Sequence, residues 1–206
     1  MLLPADKIVI LDVDTQIDFM LPEGKLYVPG AEKLIPNIAR LMQFARENGL
    51  PVISSVDAHT PDDPEFQHFP PHCVQGSPGQ AKIPETLLPQ RIVVSNEKRP
   101  LPEPPEFSRC QQWILEKQTF DIFANVNAAA LFERIPAGQY IAFGVATEYC
   151  VKADVLSVVR LGRPVWLVTD AIRPIDAAGG EAALREMQEA GVRFFTTQDV
   201  IAQMAA

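Results

Sequence analysis

Cys150 closes the stretch Gln139-Tyr-Ile-Ala-Phe-Gly-Val-Ala-Thr-Glu-Tyr-Cys150, where an apolar strand pattern breaks at Gly144 and a helical pattern begins. Thr147 stands in the N-cap position, three residues before the thiol. A cysteine in the first turn of a helix meets unpaired amide N–H groups and the positive end of the helix dipole. Its thiolate is therefore favoured, and the same amides can bind a developing oxyanion. The position is that of a catalytic nucleophile, and it equally suits a small buried hydrophobe, the ordinary role of a free cysteine.

Other polar residues fall where strands should end. Asp14 follows the first apolar run, in Leu11-Asp-Val-Asp-Thr-Gln-Ile-Asp-Phe19. A carboxylate there can act as general base to a nearby thiol, and any one of Asp12, Asp14 and Asp18 can instead cap a loop. Asp57-Ala-His59 ends a second run, and His72 follows in Phe69-Pro-Pro-His-Cys73; all 3 histidines of the chain, His59, His68 and His72, lie in this one loop. Strand alternation puts Asp57 and His59 on one side, and two imidazoles with a carboxylate suit Zn²⁺, Fe²⁺ or Mn²⁺ with positions left open for substrate. Asp63, Glu65 and His68 are candidates for a further ligand. Lys117 ends the short apolar run that begins at Trp113. It is either a surface lysine or a cation delivered to the thiol and the carboxylates.

These residues need a frame that brings strand ends together. Strands are expected at Lys7–Asp14, Pro51–Asp57, Arg91–Ser95, Tyr140–Val145, Val165–Thr169 and Val192–Thr196, with one more possible before Lys117. Helices are expected from Ala31 to Asn48, stopping at Gly49, from Glu148 to Leu161, from Asp176 to Ala190, and in a short final segment. Such alternation implies a parallel sheet with helices on both faces, whose ligands bind at the carboxyl ends of the strands. The proline-rich region between Thr60 and Pro105 reads as a functional loop.

With 206 residues and 47% hydrophobic content, the chain is expected to form one domain, residues 1–206. A net charge of −8 argues against nucleic acid or an anionic membrane surface as partner and leaves small molecules. No apolar run reaches the ~20 residues of a membrane span, and Met1 to Lys7 lack the order of a signal peptide, so a cytoplasmic protein is expected. The 3 cysteines, Cys73, Cys110 and Cys150, are too few and too odd for a disulfide framework.

Placed together, Val13-Asp-Thr-Gln-Ile-Asp-Phe19, Asp57-Ala-His59, Pro70-Pro-His-Cys-Val-Gln-Gly-Ser77, Lys117 and Gly144-Val-Ala-Thr-Glu-Tyr-Cys150 make the chain similar to the isochorismatase-like cysteine hydrolases. Within them it resembles the nicotinamidase-like members. The resemblance implies a doubly wound, six-stranded parallel sheet in a three-layer sandwich and a catalytic triad of Asp14, Lys117 and Cys150. It further implies a cis peptide between Val145 and Ala146, and an oxyanion hole made by the Ala146 and Cys150 amides. Asp57, His59 and His72 would bind a divalent metal, zinc first, that orients the substrate, while Phe19, Phe69, Val145 and Tyr149 would contact it. The implied reaction converts a small carboxamide, nicotinamide or similar, to the acid and ammonia through a thioester. The alternatives are an isochorismatase-type or other non-amide or ureido hydrolase of the family and a silent binding protein. A homo-oligomer, dimer or tetramer, is implied as well. The chain departs from the nicotinamidase pattern at Ala58, Asp63 and Phe69 and in the long loop from Asn96 to Cys110.

Overall fold

The computed structural model describes residues 8–135 and 137–205. Lys7, expected to open the first strand, and the residues read against a signal peptide lie outside them. The element order is β1 (Ile8–Val13), α1 (Ile17–Met20), α2 (Ile35–Glu47), β2 (Val52–Asp57), β3 (Arg91–Val94), α3 (Glu106–Arg109), β4 (Gln112–Lys117), α4 (Ala128–Arg134), β5 (Gln139–Val145), α5 (Lys152–Arg160), β6 (Val165–Arg173), α6 (Ala177–Glu189), β7 (Arg193–Phe195) and α7 (Thr197–Ala205).

Among the described residues all strands join one parallel sheet in the order β3-β4-β2-β1-β5-β6-β7. The sheet has 7 strands, not the six implied by resemblance. Both edges are closed by short strands: β3 has 4 residues and β7 has 3. Runs this short bury little of their own surface and form because a long neighbour, β4 or β6, offers its free edge. β6 also continues to Arg173, beyond the expected end at Thr169.

Every residue of β1, β2 and β5 is buried, as parallel strands covered on both faces require. Side chains of β1 alternate between two cores. Val9, Leu11 and Val13 pack with Leu131 and Phe132 of α4, Val155 and Val158 of α5 and Met187 of α6. Ile8 and Ile10 pack with Ile38, Leu41 and Met42 of α2 and Val200 of α7. The result is a three-layer sandwich. Helix α2 begins at Ile35, after a 3₁₀ turn over Ala31–Leu34 and with proline in its first turn, where the missing N–H costs no hydrogen bond. Gly49 ends it with φ +63°.

Two register pairs set the site. Asp57 lies beside Lys117 across β2 and β4, and Val13 beside Gly144 across β1 and β5. Gly144 has φ +127°, and a Cβ there would fall 1.9 Å from the Val13 carbonyl oxygen. Only glycine lets β5 pass so close to β1 just before the segment that leads to Cys150. The Val145–Ala146 peptide that follows is cis.

Candidate active site

The carboxyl ends of β1, β2, β4 and β5 deliver Asp14, Asp57, Lys117 and the segment leading to Cys150 to one place, where the chain order reverses across β1. Asp14 sits just past β1 in a left-handed conformation with φ +47°, which aspartate tolerates better than most side chains. Lys117 is fully buried. Its Nζ donates to Asp14 Oδ2 at 2.7 Å and to Asp57 Oδ1 at 2.5 Å, and lies 3.6 Å from Cys150 Sγ. Ser55 Oγ donates to the other Asp14 oxygen at 2.7 Å.

The electrostatics follow from burial around one cation. Burial opposes the charge of Lys117, but Asp14 and Asp57 hold it protonated well above the usual lysine range. Burial also opposes the Asp57 carboxylate, and Lys117, with His59 and His72, nevertheless holds it below the ordinary range. For Asp14 burial wins and raises the pKa, partly offset by Lys117. Burial likewise pushes the Cys150 thiol well up, with the Asp14 charge adding to it.

Cys150 lies in a π-helical turn, Thr147–Val151, that precedes α5. The Ala146 carbonyl accepts from the Tyr149 and Val151 amides at 3.1 and 3.2 Å, on either side of Cys150. Ala146, in extended conformation, is the N-cap, and Thr147 is the first residue of the turn. This corrects the expected Thr147 cap: the added residue of the wider turn moves the helix start back by one. The Thr147 hydroxyl is buried with no hydrogen-bond partner among the described residues.

One ligand atom each from Asp57, His59 and His72 lies within 4.8 Å of the others. His72 Nδ1 donates to the Pro70 carbonyl at 2.8 Å, which fixes its tautomer and leaves Nε2 as a free lone pair. Asp57 Oδ2 is 3.6 Å from His59 Nε2 and 3.7 Å from His72 Nε2. His59 is fully buried; its Nδ1 has the Asp63 carboxylate as ion-pair partner, whereas its Nε2, which faces Asp57, has no hydrogen-bond partner among the described residues. Buried polar atoms are rarely left so, and this N₂O donor set fits zinc, iron or manganese. Asp14, Asp57 and Cys150 also come within 4.8 Å of one another, but the Lys117 ammonium stands among them and leaves no place for a second cation. Gln16 holds Asp57 from behind: its side chain accepts from the Asp57 amide at 2.7 Å and donates to the Asp57 carbonyl at 2.8 Å.

The structure also separates the three candidates for a further ligand. Asp63 Oδ2 is 3.0 Å from His59 Nδ1, the ring nitrogen turned away from Asp57. Glu65 Oε1 is 3.9 Å from His72 Nε2 and faces the cavity. His68 is exposed on an outer groove.

Above Cys150 is a small, largely apolar cavity. The expected residues Phe19, Phe69, Val145, Ala146 and Tyr149 line it, with Cys150, Asp57, His72 and Glu65 as its polar groups. Leu26, Val28, Phe120 and Ile175 complete its apolar wall. The sequence reading missed these four, together with Ser55 and Gln16. Ser55 was within reach of that reading, since it lies two residues before Asp57 and is the register partner of Val13. Gln16 lies inside the quoted stretch Val13–Phe19, and the four apolar residues carry no local signal.

The chain matches the family described as isochorismatase domain over residues 8–199. The nicotinamidase of Escherichia coli strain K12 is 28% identical, with 92% of this chain and 95% of that protein aligned. A probable inactive nicotinamidase of Arabidopsis thaliana is 23% identical over 95% of each. The crystal structure of a pyrazinamidase of Pyrococcus horikoshii in complex with zinc is 28% identical, covers 92% of this chain and 99% of its own, and superposes with a TM-score of 0.75.

Proposed function

From the premise that this chain belongs to the isochorismatase family of hydrolases, we propose that it cleaves a small ring carboxamide, nicotinamide or a close analogue, to the acid and ammonia. The observation that carries this reading is the buried Lys117 ammonium, 2.7 Å from Asp14 and 3.6 Å from the Cys150 sulfur at the floor of an aromatic cavity. The relatives named for nicotinamide and pyrazinamide hydrolysis support the substrate class.

In the proposed reaction Asp14 takes the Cys150 proton and the sulfur attacks the carboxamide carbon. This transfer moves a negative charge from carboxylate to sulfur without changing the total, and Lys117 touches both ends. Transfer can therefore occur in a dry site where separate ionisation of the thiol is suppressed. The Ala146 and Cys150 amides take the charge that builds on the carbonyl oxygen. Asp14 then returns its proton to the departing ammonia, leaving a thioester, and next draws a proton from the water that releases the acid. Asp57, His59 and His72 would hold a divalent metal, whose Lewis acidity would bind and orient a ring nitrogen of the substrate. Phe19 and Phe69 would stack against the ring, and Val145 and Tyr149 would limit its position.

The test is ammonia release from nicotinamide and pyrazinamide by the purified protein. Turnover should saturate and should vanish in Cys150→Ala. Normal turnover by that variant would reject the mechanism, and inertness of the wild-type protein toward every ring carboxamide would reject the substrate class.

A further inference from the structure

The cavity over Cys150 shares a wall with a wider, more open groove on its outer side. Phe69, Phe120, Tyr149 and Glu65 line both spaces. The three aromatic rings close on one another. Phe69 meets Phe120 at 6.3 Å and Tyr149 at 6.0 Å, both nearly perpendicular, and Phe120 meets Tyr149 at 5.2 Å and 55°.

The three rings are not held alike. Phe69 also packs edge-on against His72, and Tyr149 belongs to the turn that carries Cys150. Phe120 is 37% exposed and stands on the short loop after Lys117. That loop is pinned on either side of the ring. Gln118 donates to the Ala58 carbonyl at 3.0 Å, and Asp121 accepts from the Phe123 amide at 2.9 Å. The backbone is thus fixed while the ring faces solvent, and exposed side chains change rotamer quickly.

We infer that Phe120 is a specificity-determining residue. It sets the size limit on groups attached to the substrate ring away from the carboxamide, and the outer groove, with Gln67, His68, Gln118 and Thr119, receives a hydrogen-bonding substituent that passes it. The substrate part of this inference rests on the amidase reading above; the gating part does not.

The experiment separates the two. Alkylation of Cys150 by iodoacetamide and by an N-naphthyl iodoacetamide is followed by peptide-resolved mass spectrometry, in wild type, Phe120→Ala and Phe120→Leu. Alanine removes two ring contacts of modest strength, so the bulky reagent should react about tenfold faster, while the small one gains much less. Leucine should fall between. An unchanged naphthyl rate, or equal acceleration of both reagents, overturns the gate. In parallel, Phe120→Ala should raise kcat/KM for a ring-substituted pyridine carboxamide relative to nicotinamide by about tenfold; an unchanged ratio overturns the specificity role. Absence of ammonia from every amide, together with the tenfold alkylation change, rejects the amidase reading and upholds the gate.

Discussion

Asp154 offers a sharp test of how burial controls charge around the thiol. It lies one helical turn beyond Cys150 on α5 and is fully buried. Oδ1 accepts from the Ile122 amide at 2.6 Å, and Oδ2 has no hydrogen-bond partner among the described residues. Burial pushes its pKa well up, Asp14 adds to the shift, and Lys117 only partly offsets it. The folded protein therefore keeps this proton at pH values where the unfolded chain, with a carboxyl pKa of about 3.9, has lost it. Between the two pKa values the native state binds one more proton than the unfolded state, so stability falls as pH rises, by about 1.4 kcal/mol per pH unit. Asparagine keeps the Oδ1 acceptor and presents a donor where the protonated acid did. Asp154→Asn should thus match wild type near pH 4 and gain on it steadily above that. For a chain of this length the gain amounts to about 3–6 °C in Tm per pH unit, until the folded wild type releases its own proton. Melting curves of both proteins at closely spaced pH values and constant salt would show it. Parallel Tm profiles would refute the argument, and a variant that loses ground as pH rises would show that the carboxylate is ionised and stabilised by Lys117.

Two further predictions concern the neighbouring charges. Lys117→Met leaves Asp14 and Asp57 buried without their cation, so it should destabilise by about 3–5 kcal/mol and abolish ammonia release; a denaturant midpoint equal to wild type would contradict the ion-pair geometry. His72→Ala should lower zinc retained after dialysis by more than about tenfold, a loss that outer-shell partners alone can cause; metal analysis showing full occupancy would remove His72 from the ligand set.

Parts of this arrangement are legible in the sequence because their causes are local. An apolar run such as Ile8–Leu11 suits a strand of a sheet covered on both faces, and Gly49 stops a helix by its own backbone freedom. Asp57 and His59 share a side of the chain by strand alternation. What is not legible depends on neighbours distant in sequence. Lys117 reads as an ordinary surface lysine until β4 is set beside β2 and its ammonium falls between two carboxylates. Phe120 and Ile175 come from different loops and meet only over the cavity. Thr147 was misplaced by one residue because the turn is π-helical, a choice made by the Ala146 carbonyl and not by the side chain at the cap.

A helix terminus by itself favours a thiolate at Cys150, but burial opposes it. In a site this buried the thiol is pushed toward its neutral form, and the surrounding carboxylates add to that push. Lys117 supplies the compensating charge, but Asp57 already engages it at 2.5 Å. Burial thus works against a stored thiolate, and the cluster sets the thiol and the Asp14 carboxyl close together with the Lys117 ammonium touching both. In the proposed reaction the nucleophile forms when a substrate carbonyl arrives and gives the displaced charge somewhere to go. Alkylation of Cys150 at neutral pH should then be slower than that of an ordinary low-pKa catalytic thiol.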